Sequence, residues 1–158
     1  MRTAFLVAFL SVAVLMGCKH DNVEAAAPKG FDVPLTPTAE VPVCPSAGPG
    51  ASGTATIKVA ADDSSISATV TYSGLSGPPT ASHIHYGRAG ASGPVVLPFS
   101  GSLASPFSRT LSATDYVAAP GAPADFTSFV AALKGGGAAY VNVHTADCKP
   151  GEIRGQIQ

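Results

Sequence analysis

The sequence predicts an all-β fold, an antiparallel β-sandwich or small barrel with one short helix near residues 124–134. Three observations predict it. Short runs alternate apolar and polar residues with a period of two. Turn signals separate those runs at short intervals. Gly (17) and Pro (14) together fill about a fifth of the 158 positions, which suits many turns between short strands.

The elements follow in order. In Gly53–Val59, Ala55, Ile57 and Val59 share one face, and Thr54, Thr56 and Lys58 share the other. Asp62-Asp63-Ser64-Ser65 then reads as a turn. After it Ile66, Ala68, Val70 and Tyr72 alternate with Ser67, Thr69 and Thr71, so the two runs form a hairpin. Pro78-Pro79 ends the second run, because proline has no ladder donor. Further strands are expected at 81–86, 94–98, 106–112, 138–144 and 152–157. One stretch carries helical spacing instead: Phe126, Phe129, Val130 and Leu133 fall at i, i+3, i+4 and i+7. Pro123 opens it and Gly135-Gly136-Gly137 closes it. So short a helix needs tertiary packing, and its aromatic face is expected to cover an open end of the sheets.

The chain starts with an address. Arg2 precedes an apolar run from Ala4 to Met16, too short to span a bilayer and shaped like an export signal. Leu15-Met16-Gly17-Cys18 resembles the bacterial lipobox, which implies cleavage before Cys18 and lipidation of that cysteine. Residues 1–17 are therefore read as a lipoprotein signal peptide, 18–30 as a flexible tether and 31–158 as one domain. The expected location is the cell envelope, held to the membrane by a lipid anchor. Lys19 after the cysteine points to the outer membrane in a host that has one.

Lys and Arg number 9 against 10 Asp and Glu, and charged residues are only 12% of the chain. No basic cluster is available to neutralise phosphates, so a nucleic-acid partner is excluded. With Cys18 given to lipid, Cys44 and Cys148 are left over, and outside the cytoplasm such a pair forms a disulfide. The competing reading is a soft metal site using Cys148 near His144.

Three stretches form a set: Ala39-Glu40-Val41-Pro42 with Gly53-Thr54-Ala55-Thr56; Ser82-His83-Ile84-His85-Tyr86-Gly87 with Gly93-Pro94-Val95-Val96; and Tyr140-Val141-Asn142-Val143-His144-Thr145 with Gly151-Glu152-Ile153-Arg154-Gly155-Gln156-Ile157. Together they resemble the CHRD domain, the chordin-type domain of secreted proteins, over nearly the whole mature chain. The resemblance implies a superoxide-dismutase-like or immunoglobulin-like sandwich and no settled activity. Chordin's role makes a protein ligand one expected partner.

Alternation places a candidate site on one sheet face. His83 and His85 point the same way. Ala139, Val141 and Val143 make the inward face of the next strand, leaving Tyr140, Asn142 and His144 on the other. In the last strand Ile153 and Ile157 face inward, and Glu152, Arg154 and Gln156 outward. If the three strands are neighbours, His83, His85 and His144 converge beside Asn142, Glu152 and Arg154 as a surface site. Neutral imidazole suits copper or zinc. The bland alternative is a hydrogen-bonded ladder with Asn142 and Thr145 as partners, and Glu152 and Arg154 as a surface ion pair.

No nucleophile elbow and no CxxC motif occur in the sequence. Gly87, Gly90 and Gly93 read as a turn-rich connection, since no Lys-Ser/Thr follows them. Three domain histidines leave none for a second, dismutase-type zinc site. The expected function is a non-enzymatic binding or scaffolding lipoprotein, with a three-histidine copper or zinc protein as the alternative.

Overall fold

The computed structural model describes residues 27–136 and 138–158. The expected signal peptide, Cys18 and most of the tether lie outside the described residues. The elements are β1 (Lys29–Leu35), a 3-10 turn (Pro37–Ala39), β2 (Ser52–Val59), β3 (Ser65–Ser73), β4 (Pro79–Tyr86), β5 (Val95–Pro98), β6 (Phe107–Ser112), α1 (Phe126–Lys134), β7 (Ala139–Thr145) and β8 (Ile153–Ile157). They form two antiparallel four-stranded sheets, ordered β1-β2-β3-β6 and β5-β4-β7-β8. The architecture is the sandwich, and no closed barrel forms among the described residues.

The alternating runs pair as their patterns require. Ile57 lies opposite Ala68, and Ala55 opposite Val70. Asp63 takes the left-handed conformation at φ 59°, while Asp62 Oδ1 accepts from the Ser64 N–H and hydroxyl to close the turn. Inward residues of the first sheet meet Ile84, Val141, Val143, Ile153 and Ile157 of the second in one fully buried core. Burial of this apolar area is the main stabilising term, at roughly 25 cal/mol per Å².

The sequence reading leaves β1 out. Phe31, Val33 and Leu35 alternate inward, but Pro34 and the short run hide the pattern. β1 also joins the two sheets. The Thr36 N–H donates to the Arg154 carbonyl, and the Arg154 N–H donates to the Thr36 carbonyl. Helix α1 forms where its spacing predicts. Asp125, not Pro123, caps it, accepting from the Ser128 N–H at 2.8 Å. Phe126, Phe129, Val130 and Leu133 are its buried face, and Phe129 packs against Tyr86 and Tyr116.

Cys44 and Cys148 form the disulfide, with Cα atoms 5.6 Å apart. Their pairing removes the alternative in which Cys148 serves as a metal ligand. The bridge ties the 36–51 connection to the loop after β7, next to the candidate site.

Candidate metal centre

β4 and β7 are antiparallel neighbours, and their register builds the site. His83 pairs with Asn142, His85 with Tyr140, and Ala81 with His144. With period two, His83, His85, Tyr140, Asn142 and His144 all project from one face. Ring centroids lie 4.9 Å apart for His83–His144, 5.4 Å for His83–His85 and 6.3 Å for His85–His144. One nitrogen from each imidazole lies within 4.8 Å of the others. The strand order thus brings together all three predicted ligands.

Each imidazole is oriented by its surroundings. His144 Nδ1 lies 2.9 Å from the Lys149 carbonyl, which can only accept, so Nδ1 carries the proton and Nε2 a lone pair. By the same logic His85 Nδ1 donates to the Gly93 carbonyl at 2.8 Å, and its Nε2 is buried with no hydrogen-bond partner. His83 Nδ1 approaches His144 Nε2 at 3.1 Å. Two nitrogens of a tetrahedral zinc site with 2.0–2.1 Å bonds are about 3.3 Å apart. The 3.1 Å pair already has that spacing, and the wider gaps ask a bound ion to draw the rings inward.

Burial holds the imidazoles neutral, as a metal requires. It pushes His83 down to about 4, helped by the neighbouring charges of His144 and His85. It lowers His85 and His144 as well.

The face is not the open surface expected from alternation. Every residue of β7 is buried, and Asn142 and Arg154 are 1% and 2% exposed. Two connections cover it. From the 36–51 segment comes Glu40, whose buried carboxyl lies beside the Asn142 side chain and carries one oxygen, Oε1, with no hydrogen-bond partner. From the 87–94 segment come the carbonyls of Arg88 and Ala91, which accept from Arg154 Nη2, and that of Gly93, which holds His85. Only His83 among the three imidazoles keeps intermediate exposure.

Glu152 and Arg154 do not pair as a surface ion pair. Glu152 is fully buried and accepts from the Ser76 N–H and hydroxyl, the Gly48 N–H and the Thr145 hydroxyl. Burial alone would raise its pKa, but these four donors hold it below the ordinary carboxylate value. Thr145 therefore serves Glu152 and not an imidazole, whereas Asn142 does reach His144, with Oδ1 3.0 Å from Nε2. Arg154 lies with Cζ 3.4 Å from the Tyr140 ring centroid, and Tyr140 stacks on His85 at 4.6 Å. The strand order β4-β7-β8 places Tyr140 between the two, so guanidinium, phenol and imidazole form one stack.

Two members of the site have no role in the sequence reading. Tyr140 supports His85. Glu40 is buried next to Asn142, and burial raises its pKa to about 7 although the Arg154 charge and the Asn142 hydrogen bond oppose this. Its sequence signals are a lone acid in the apolar stretch Ala39-Glu40-Val41-Pro42 and that stretch's place in the family resemblance.

Among known families, the family model of the CHRD domain matches residues 31–157. No curated protein and no solved structure matches the chain.

Proposed function

Starting from the chain's membership of the CHRD domain family, we propose that it is an envelope-anchored binding protein whose ligand is one copper or zinc ion held by His83, His85 and His144. Membership itself suggests a binding or scaffolding role. The metal reading rests on one observation: the three imidazoles offer donor atoms within 4.8 Å of one another, and among these His85 Nε2 is buried with the Asn142 side chain near it and no hydrogen bond of good geometry. An unpaired buried acceptor costs about 1–3 kcal/mol, and a cation removes that cost. The backbone carbonyls of Gly93 and Lys149 fix the tautomers, the arrangement that orients metal-ligating histidines. Imidazole-only nitrogen donors favour copper and zinc over calcium and magnesium, which take oxygen.

The test is metal content. The full chain is stripped with chelator, offered Cu(II) or Zn(II), dialysed and assayed. One ion per chain is expected, with loss in a His83→Ala, His85→Ala, His144→Ala variant of unchanged circular dichroism. Equal content in the two proteins, or none in either, contradicts the proposal.

A further inference from the structure

The environment of Asn142 is rich in acceptors. His144 Nδ1 is committed to the Lys149 carbonyl and His85 Nδ1 to the Gly93 carbonyl, so both Nε2 atoms present lone pairs. On one side the Asn142 side chain lies beside the buried Glu40 carboxyl, and on the other its Oδ1 faces the His144 imidazole. With His144 Nδ1 protonated toward Lys149, Oδ1 and His144 Nε2 face each other as two acceptors 3.0 Å apart. The N–H of His83 Nδ1 can serve His144 Nε2 at 3.1 Å, but it supplies one proton to a cluster with three lone pairs. At the same time Asn142 is 1% exposed, so bulk water does not settle the account. A cation satisfies every lone pair at once.

We propose that Asn142 Oδ1 is the fourth ligand of the ion held by His83, His85 and His144, and that Glu40 is the positioning residue that turns the amide oxygen toward it. The inference rests on the metal reading above and goes beyond it by closing the coordination sphere. The 3.0 Å separation of Oδ1 from His144 Nε2 is close to the ligand–ligand edge of about 3.3 Å in a tetrahedral site. Register supports the placement, since Asn142 lies directly across from His83 on β4 and two residues before His144 on β7. Gly151 leaves the space the Glu40 carboxyl fills, because a Cβ there would sit 2.0 Å from Glu40 Oε1. Three nitrogens and one oxygen make a filled set. Such a site retains an ion and has no open position for a bound water, unlike the three-ligand sites of zinc hydrolases.

The experiment loads the full chain with Cu(II) and measures copper stoichiometry, water-proton relaxivity and the number of nitrogen and oxygen scatterers by X-ray absorption. The expected wild-type result is one copper, four equatorial nitrogen and oxygen scatterers and no equatorial water. Asn142→Leu should admit a water, seen as a rise in relaxivity, and Asn142→Asp should keep water out. Glu40→Ala should raise relaxivity with Asn142 intact and weaken affinity about tenfold, the usual lower bound for losing an outer-shell partner. A wild-type chain that binds no copper overturns both this inference and the metal reading. A wild-type chain that binds one copper with an exchangeable equatorial water overturns this inference alone, whether or not the variants fold.

Discussion

His144 Nδ1 donates to the carbonyl of Lys149 across 2.9 Å, one residue beyond the disulfide-bonded Cys148. The loop that orients this imidazole is therefore fastened to the 36–51 segment through Cys44. The disulfide bears on both the stability of the sandwich and the tautomer of a proposed metal ligand.

Replacing both cysteines, Cys44→Ser with Cys148→Ser, should lower stability by about 3–5 kcal/mol in the chain-entropy account of a loop this long. It should also weaken metal affinity about tenfold, because the Lys149 carbonyl is no longer held against His144. Urea unfolding checks the first effect and competition with a zinc chelator the second. Unchanged metal affinity in a destabilised variant would contradict the link between the bridge and His144.

The pH dependence of stability should contain two opposing parts. The native imidazoles have lowered pKa values, His83 at about 4 against an ordinary 6.5. As pH falls from 6.5 toward 4 the unfolded chain binds more protons than the native one, and stability is lost. Glu40 acts the other way. Its native pKa of about 7 lies above the ordinary 4.5, so its contribution is present below 4.5 and lost as pH rises through 7. The two oppose each other between these limits. Glu40→Gln removes the compensating part, and the metal-free variant should lose stability on acidification more steeply, by up to about 1.4 kcal/mol per pH unit. Urea midpoints between the two limits check this; a slope equal to wild type contradicts it.

Gly155 holds the approach of β8 to β1. A Cβ there would lie 2.2 Å from the Pro34 carbonyl oxygen and 2.6 Å from Val33 Cγ1. The backbone atom cannot swing aside as a side-chain tip can. Gly155→Ala should cost about 1–3 kcal/mol, the usual range for overpacking, and lower Tm accordingly. A Tm equal to wild type would show that the two strands are not so close.

The proposed lipidation at Cys18 makes a separate prediction. Cys18→Ser should move the protein from the membrane to the soluble fraction with its circular dichroism unchanged. Persistent membrane association would contradict the anchor.

Much of the fold is legible because period-two alternation is local. Ile57, Val70, Val141 and Ile153 can each be assigned inward from their immediate neighbours, and each is fully buried. The convergence of His83, His85 and His144 is legible for the same reason, once β4 and β7 are neighbours. Burial of the histidine face is not legible. It comes from two connections without periodicity, which reach the site through Cys44, Glu40 and the carbonyls of Arg88, Ala91 and Gly93. A backbone carbonyl has no residue signature, so the atoms that fix the His85 and His144 tautomers leave no mark in the sequence. The stack of Arg154 on Tyr140 depends on the pairing of β7 with β8, which alternation within one strand does not set. Glu152 lies just outside β8, so strand alternation does not govern its direction, and it bonds Thr145 instead of facing Arg154.

Pulsed electron paramagnetic resonance on the Cu(II)-loaded full chain tests the shared metal ion most directly. The account predicts nitrogen couplings from three imidazoles, falling to two in His144→Ala. A copper signal coupled to one imidazole or none, and unchanged by His144→Ala, would show that the three rings do not share an ion.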